Sequence, residues 1–503
     1  MKPAGLDRGA IAVIAAVAAA LAGFAFAIGG AIDISRTGGV LTIVVLATTV
    51  AFGRAAWSGR LPRPFAGSSP LMLMALLAAL AAISIGWSIL PGDSYVDATL
   101  MIAYTAILAG GALAAQLLPG RTREITGGLM LAALLICLFG LLSRVHPVWF
   151  SETDAYARVR MPFEYWNAVG SVAVFGLISA LWLGTVRDLG KWPVALSYPA
   201  GGVFFVTLTL SQSRGALFVA LLTLALWLLL APRRLRSAWW LAAVAAVAAP
   251  VVAWAWGQPA LSQDFVALAQ RSNTGDAFGL ILLSMIAVLA GLGYATERMR
   301  RDRSLSPGRR YATGRVLLVA LAISPFVFAG IVGAGSDQGL GKISSGVSDL
   351  FDANKTAPSN SPGRLTQTSS LRARYWRDAF KIFSDNSLHG TGADTYSAAR
   401  LPYRRDTIKV RHAHGFVPQT LSDLGIYGLI LLLALAVAWF IAMARAAGAT
   451  ARAPHRWLEN AGDARVANLT IALVAFAFGA HSAIDWTWYV PGVAAFGLVA
   501  AGW

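Results

Sequence analysis

Long apolar runs separated by short polar loops occupy most of the chain. A membrane-spanning helix needs about 20 mostly apolar residues, and fourteen runs approach or exceed that length. They lie at 10–34, 38–53, 70–90, 94–118, 125–143, 167–186, 193–210, 213–231, 237–256, 276–296, 315–335, 416–444, 466–482 and 486–503. The second, seventh and last two runs are short, so the pattern predicts an all-α, polytopic transmembrane helical bundle of about twelve to fourteen spans.

One hydrophilic segment, 336–415, interrupts this alternation. Most loops of this length have a function or are disordered. Within it, apolar residues recur at helical spacing at Leu371, Tyr375, Ala379 and Ile382. We therefore expect an amphipathic helix over 370–385. The chain divides into transmembrane helices over 1–335, a large, partly helical external loop over 336–415, and C-terminal transmembrane helices over 416–503.

Basic residues concentrate in alternate loops, which the positive-inside rule assigns to the cytoplasm. These loops hold 23 of the 41 lysines and arginines: Lys2 and Arg8; Arg54, Arg60 and Arg63; Arg121 and Arg123; Arg187 and Lys191; Arg233, Arg234 and Arg236; seven arginines from Arg298 to Arg315; and Arg445, Arg452, Arg456 and Arg465. The same alternation places the loop 336–415 outside the cytoplasm.

The composition agrees with a membrane protein. The chain is 57% hydrophobic and 13% charged, whereas a soluble domain carries about 25% charged residues. The cytoplasmic loops account for much of the formal charge of +17, so no nucleic-acid partner is expected. The single cysteine, Cys137, lies within an apolar run, which excludes an intrachain disulfide and a cysteine metal cluster.

Candidate chemistry lies where the external loop meets the next span, in Arg411-His412-Ala413-His414-Gly415. A neutral imidazole can accept a proton from a hydroxyl near neutral pH, and a neighbouring arginine suits a phosphate. We interpret His414 as a general base, although it could instead cap the following helix. His412 is expected to support it or to have a structural role, and Arg411 to bind an anion.

Arg214 interrupts two apolar runs within Ser211-Gln212-Ser213-Arg214-Gly215-Ala216. An arginine at the membrane edge is costly unless it is paired or faces water. Its simplest role is a snorkelling turn residue. The interpretation that we favour is a diphosphate ligand, with Gly215 allowing close approach and the next helix presenting its N-terminal N–H groups. In the external loop, Arg372, Arg374 and Arg377 could reach a phosphate or form a headgroup-binding face.

Four further polar residues could support the site. Glu164 and Asn167 could orient a sugar or the base at the start of the sixth span. His481 and Asp485 form an i, i+4 pair that would share one helical face, and we expect a structural hydrogen bond at a helix end. Asp349 and Asp352 have no histidine partner, so no metal site and no cofactor are expected.

These segments resemble a known family. One segment begins with His414 and Gly415, continues for nine residues and ends with Gly425-Ile426-Tyr427-Gly428. It resembles the H-[NSQ]-x9-G-x-x-[GTY] signature of the O-antigen ligase and O-antigen polymerase-like superfamily. Other segments are also similar to members of that family: Ser213-Arg214-Gly215-Ala216, Tyr165-Trp166-Asn167-Ala168, Tyr375-Trp376-Arg377-Asp378-Ala379, Gly390-Thr391-Gly392 and His481-Ser482-Ala483-Ile484-Asp485-Trp486. The resemblance covers roughly 165–440.

The resemblance implies a metal-independent, inverting membrane glycosyltransferase of the GT-C type. Such an enzyme moves a glycan from a polyprenyl (undecaprenyl) diphosphate to a hydroxyl-bearing glycan or glycolipid acceptor at the outer face of the cytoplasmic (inner) membrane. His414 would be its base and Arg214 its diphosphate ligand, with loop arginines assisting. A ligase and a lipid-linked repeat-unit polymerase both fit this pattern. One departure is Gly415, which stands where the signature has Asn, Ser or Gln.

Two other functions are compatible with a polytopic chain. A glycolipid transporter or flippase would need charged residues within its spans for coupling, whereas here the polar clusters gather at the predicted outer face. A catalytically degenerate family member is the other alternative, and Gly415 is its main indication. Sequence reasoning therefore favours glycan transfer at the membrane surface.

Overall fold

The computed structural model describes residues 7–29, 34–61, 65, 67–150, 156–186, 189–299, 352–354, 360–367, 370–446 and 462–503. These residues form α-helices and short 3-10 turns, without a β-strand. The α-helices are α1 (Arg8–Ile28), α2 (Ile34–Trp57), α3 (Ser68–Ser84), α4 (Pro91–Leu117), α5 (Thr122–Val145), α6 (Trp166–Thr185), α7 (Lys191–Leu210), α8 (Arg214–Leu230), α9 (Arg234–Gly257), α10 (Pro259–Ser262), α11 (Leu268–Met299), α12 (Arg372–Asp385), α13 (Tyr396–Ala399), α14 (Phe416–Ala446), α15 (Asp463–Ile484) and α16 (Pro491–Gly502). The predicted helical bundle is confirmed.

Ten of these helices are long and apolar enough to cross a membrane. Three shorter apolar helices, α3, α8 and α16, accompany them. Together they coincide with thirteen of the fourteen predicted runs, and the remaining run, 315–335, lies outside the described residues. The agreement follows from composition, because a segment that can bury its backbone hydrogen bonds in lipid must be both apolar and helical.

Helix α6 forms the centre of the bundle, and all of its most apolar stretch is buried. It packs against α5, α7, α8 and α15. Small residues allow this close approach, as they commonly do between membrane helices. A Cβ atom on Gly176 would lie 2.2 Å from the ring of Phe204, and one on Gly184 would lie 2.4 Å from Trp240. The tightly packed α6 holds its first residues rigidly at one end of the bundle.

Loops that were predicted to be cytoplasmic meet one another at the opposite end of the bundle. Arg121 lies 3.8 Å from Asp7, and Arg236 lies 2.8 Å from Glu297. A third ion pair joins Arg233 to Asp463 at the start of α15. The contacts agree with the predicted alternation of loops, while the side of the bilayer remains a prediction from charge.

The amphipathic helix predicted over 370–385 is confirmed as α12. It buries Tyr375, Ala379 and Ile382 in a small apolar cluster with Tyr396 of α13. The fully buried Arg400 stabilises this cluster, because its guanidinium lies 3.0 Å from the Asp378 carboxylate of α12. Since α12 also packs on α14, the described residues of the loop form a folded cap on one end of the bundle.

Helix α14 is broken at Gly425, where the sequence pattern predicted an uninterrupted run. Gly425 has φ 62°, a left-handed conformation that favours glycine. The loop after α12 docks at this break, and the Ile426 amide donates to the Ser387 carbonyl at 2.8 Å. A Cβ on Gly425 would lie 2.4 Å from the Leu388 oxygen. The break therefore joins the cap to the membrane helices beside the His414 segment.

Candidate active site between the bundle and the cap

Asp485 connects the bundle to the cap. It lies just after α15 and is fully buried. Its carboxylate accepts hydrogen bonds from Asn167 Nδ2 at 2.8 Å, from the Tyr165 hydroxyl and from the Arg372 guanidinium. Asn167 and Tyr165 lie at the start of α6, and Arg372 begins α12. Glu164, by contrast, is exposed, so the structure brings only Asn167 of the predicted pair into this site.

The Asp485 carboxylate is held in its charged form. Burial alone would raise its pKa, but the positive charge of Arg372, with the hydrogen bond from Tyr165, outweighs burial and lowers the pKa of Asp485 below its usual value. A charged carboxylate at this position can fix the Arg372 guanidinium and stabilise positive charge on a nearby imidazole.

The predicted pairing of His481 with Asp485 on one helical face is not found. Helix α15 ends at Ile484, and Asp485 has extended backbone angles (φ −146°, ψ 171°). The carboxylate therefore leaves the helical face and points toward α6 and α12. His481 Nδ1 instead lies 3.0 Å from the Thr487 hydroxyl.

Four arginines gather around the ends of α6, α7, α8 and α12. We call Arg158, Arg214, Arg364 and Arg372 the arginine cluster. Arg364 lies close enough to the other three for their charges to repel. The nearby carboxylates of Asp485 and Asp264 cannot neutralise four guanidinium groups, so the cluster keeps a net positive charge that suits a multiply charged anion.

Arg158 is the most buried member of the arginine cluster, with no exposed surface. Its Nε donates to the Ser211 carbonyl at 2.9 Å, and its Nη2 donates to the Gln212 carbonyl at 3.2 Å. The guanidinium lies 4.0 Å from the ring centre of Trp166. Burial, reinforced by the charge of Arg364, lowers the pKa of Arg158 to about 8. An anion in this region would restore the stability of the charged form.

Sequence reasoning missed Arg158, Arg364 and Asn360. Asn360 Oδ1 accepts from Arg158 Nη1 at 3.2 Å and from Arg364 Nη1 at 3.1 Å, and its amide donates to Asp264. Asn360 and Arg364 lie in a stretch without apolar periodicity, so the sequence does not indicate where these side chains lie relative to the bundle. Arg158 had a weak signal, because it immediately precedes the aromatic segment that begins α6.

Arg214 occupies the first position of α8, as the short turn after α7 predicted. Ser213 caps the helix, and its hydroxyl accepts from the Ala216 amide at 3.2 Å. The Arg214 guanidinium donates to the Gln367 carbonyl, which ties the cap to this turn. The first-turn amides and the helix dipole add partial positive charge at the same place. Helix α8 thus directs an anion-binding end toward the arginine cluster.

His414 has the geometry of a general base. Its Nδ1 lies 3.0 Å from the His412 carbonyl, which can only accept, so Nδ1 carries the hydrogen and Nε2 has the lone pair in the neutral ring. Burial, with a further contribution from Arg372, lowers the pKa of His414 to about 4, although Asp485 acts in the opposite direction. The imidazole is therefore neutral at pH 7.

Gly415 is required by packing. A Cβ at this position would lie 2.9 Å from the Ala483 carbonyl oxygen and 3.0 Å from Trp376 Nε1. The same indole N–H donates to the His414 carbonyl at 3.1 Å. Trp376 thus occupies the space that a side chain after the histidine would need, and it holds the backbone of His414, which has φ 54°.

Two of the three predicted arginines of α12 face away from the arginine cluster. Arg374 pairs with Asp406 at 3.2 Å, and Arg377 pairs with its neighbour Asp378 at 2.9 Å. Only Arg372 reaches Asp485. The division follows from helical geometry, because residues two and five positions apart lie on different faces.

Arg411 and His412 belong to a separate polar group around Asp394. Arg411 pairs with Asp394 at 2.8 Å, and His412 is buried with its ring stacked on Tyr489, 4.2 Å between centres. Gln419 Nε2 lies 3.3 Å from His412 Nδ1. The structure therefore directs Arg411 toward a carboxylate rather than toward the arginine cluster, and gives His412 a packing position.

Within the described parts of the chain, no three His, Cys, Asp or Glu side chains are grouped to hold a metal ion. Asp352 accepts from the Asn354 amide at 2.9 Å, and Asp349 lies outside the described residues. Cys137 is buried and free, as its apolar surroundings predicted.

Residues 273–433 match the family model Wzy_C, described as O-antigen ligase. The match supports an O-antigen ligase-like family. The matched segment includes α12, the His414 segment and the break at Gly425, which are among the parts of the structure that carry the resemblance. No curated protein matches the chain. The number of long apolar helices indicates a multi-pass membrane protein, and the matched segment is similar to O-antigen ligases.

Proposed function

We propose that this chain transfers a glycan from a polyprenyl diphosphate to a hydroxyl acceptor at the outer face of the cytoplasmic membrane. The observation that carries the proposal is the convergence of the arginine cluster and a neutral His414 between the bundle and the cap. The first feature suits the diphosphate of the donor and the second suits the hydroxyl of the acceptor. Both lie opposite the end at which the predicted cytoplasmic loops meet.

The donor diphosphate would bind at the arginine cluster, with Arg214 and Arg372 as its main ligands. As the bond between the sugar and the diphosphate breaks, negative charge develops on the leaving oxygen. Fixed guanidinium groups stabilise that charge more in the transition state than in the ground state, which lowers the barrier. In this proposal the arginines supply the charge neutralisation, and no divalent metal is needed.

The acceptor hydroxyl would transfer its proton to His414 Nε2 as its oxygen attacks the anomeric carbon. The bond from that carbon to the diphosphate oxygen breaks, and the polyprenyl diphosphate leaves with the electron pair. Attack from the face opposite the leaving group inverts the configuration. The imidazolium formed on His414 is stabilised by the nearby Asp485 carboxylate and then releases its proton to water.

The test is transfer by purified full-length protein in lipid nanodiscs, supplied with a polyprenyl-diphosphate glycan and candidate acceptors in excess EDTA. Product size distinguishes single transfer to an acceptor from a ladder of polymerised repeats. We expect product in EDTA and none from the Arg214→Ala variant. Loss of product in EDTA that Mg²⁺ restores would refute the metal-free part. Transport of intact donor without a new glycosidic bond would refute glycan transfer.

A further inference from the structure

His481 of α15 has a buried ring nitrogen that no described group satisfies. The side chain is 1% exposed. Its Nδ1 is engaged by Thr487 at 3.0 Å, whereas Nε2 has no hydrogen-bond partner among the described residues. Buried polar atoms are nearly always paired, so an unpaired one in a native site calls for an explanation.

The unpaired nitrogen faces the N-terminus of α8. A carbon placed at the Cβ position of Gly215 would lie 3.3 Å from His481 Nε2 and 3.6 Å from Arg372 Nη2. The α-carbon of Gly215 therefore faces an imidazole nitrogen and a guanidinium nitrogen, with Ile484 Cδ1 3.5 Å from the same point. The first-turn amides of the 17-residue helix α8 that are not engaged by Ser213 lie at the same place. These groups are the donors of a site for phosphate oxygens.

We infer that His481 is a further ligand of the donor diphosphate, donating from Nε2–H to a phosphate oxygen seated above Gly215. The inference rests on the proposed function, because it assigns a ligand to the same anion. It changes the role expected from sequence, where His481 was paired with Asp485.

A neutral imidazole suits this position on electrostatic grounds. The arginine cluster already places four guanidinium groups around the site, and a fifth positive charge would be repelled. A neutral N–H donor strengthens anion binding without adding that repulsion. The Thr487 hydroxyl can donate to Nδ1, which leaves the ring hydrogen on Nε2, where the anion needs it.

Substitutions at His481 can separate the two ring nitrogens. His481→Asn keeps a polar group near Thr487 and removes the Nε2 donor. His481→Gln places an amide donor near the Nε2 position and gives up the Thr487 contact. Thr487→Val removes the partner of Nδ1 and leaves Nε2 in place. Folding of each variant is checked by its thermal midpoint.

The experiment is equilibrium binding of radiolabelled farnesyl diphosphate to the full-length protein in nanodiscs. We expect His481→Asn to weaken binding roughly 10- to 100-fold, the worth of a hydrogen bond to a charged group. His481→Gln should retain more affinity than His481→Asn. Thr487→Val should lose less affinity than His481→Asn, because it frees the tautomer of His481 but keeps Nε2 in place.

Parent-like binding in His481→Asn would overturn the inference and leave the donor site intact. The inference would also be overturned if the Asn, Gln and Thr487→Val variants lost equal affinity for the probe and all had lower thermal midpoints. That result would assign His481 to folding. Failure of the proposed function has a different signature. In that case Arg214→Ala would bind the probe as the parent does, whatever the His481 variants show.

Discussion

At the scale of single residues, His414 combines a fixed tautomer with a strongly depressed pKa. Its Nδ1–H is committed to the His412 carbonyl, and burial keeps the ring neutral well below pH 7. Only the neutral form can accept the acceptor proton, so activity is lost as the pH falls through the pKa of His414.

The pH dependence of kcat/KM tests this state of His414. We expect kcat/KM for the acceptor to be flat from about pH 8 to pH 5.5 and to fall toward pH 4, following the pKa of about 4. An acid limb centred near pH 6.5, the ordinary histidine value, would show that burial does not control His414.

Arg214 lies at the start of α8, where its planar guanidinium can bind two phosphate oxygens. Arg214→Ala should reduce transfer by at least about 100-fold, and Arg214→Lys should restore only part of it, because lysine lacks the planar fork. Arg377→Ala is the matched control, since Arg377 pairs with Asp378 outside the arginine cluster. Equal effects of the Arg214 and Arg377 substitutions would remove Arg214 from the site.

Single residues also show where sequence reasoning reaches its limit. Arg214, Asn167, His414 and Arg372 could be selected from type and spacing, because polar and charged groups at a membrane edge are costly unless they are used. Arg364 and Asn360 could not, since their positions depend on how the cap folds over the bundle. The same limit applied to Arg411, which lies near His414 in sequence but pairs with Asp394.

At the scale of secondary structure, the broken helix α14 links the cap to the bundle. Apolar composition predicted the helix, but it could not reveal the break, because glycine is common within membrane helices. The sequence feature that coincides with the break is the spacing of Gly425 and Gly428 after His414. The break lets the loop after α12 form backbone hydrogen bonds with α14, and these fix the position of the His414 segment.

Gly425→Ala should destabilise this junction. The left-handed conformation at Gly425 and the 2.4 Å approach to the Leu388 oxygen predict a loss of about 1–3 kcal/mol, seen as a lower thermal midpoint and reduced transfer. Gly23→Ala in α1 is the control, because a Cβ there meets nothing within 4 Å. Identical midpoints for the two variants would contradict the role given to the break.

At the scale of the whole molecule, charged residues separate into two ends. One end holds ion pairs between the predicted cytoplasmic loops, and the other holds the arginine cluster and His414. Alternating basic loops predicted this polarity, since the positive-inside rule acts on each short loop separately. Packing of the bundle then brings together alternate loops that are distant in sequence and are predicted to lie on the same side of the membrane.

The predicted orientation can be tested with a membrane-impermeant thiol reagent. The single native cysteine, Cys137, is buried, so background labelling should be low. Arg405→Cys in the cap should label in intact cells (after outer-membrane permeabilisation in a Gram-negative host), whereas Arg465→Cys should label only after the inner membrane is disrupted. The reverse pattern would place the site in the cytoplasm and invert the topology.

The most direct test of glycan transfer by this site is a paired measurement on His414→Ala. Donor binding and release of polyprenyl diphosphate are followed with one lipid-linked glycan substrate, in the presence of acceptor. We predict one polyprenyl diphosphate released for each glycan transferred by the parent. In His414→Ala, release and transfer should fall together by about 100- to 10,000-fold, while donor affinity stays close to that of the parent. Parent-like transfer by His414→Ala, with donor binding unchanged, would contradict the account.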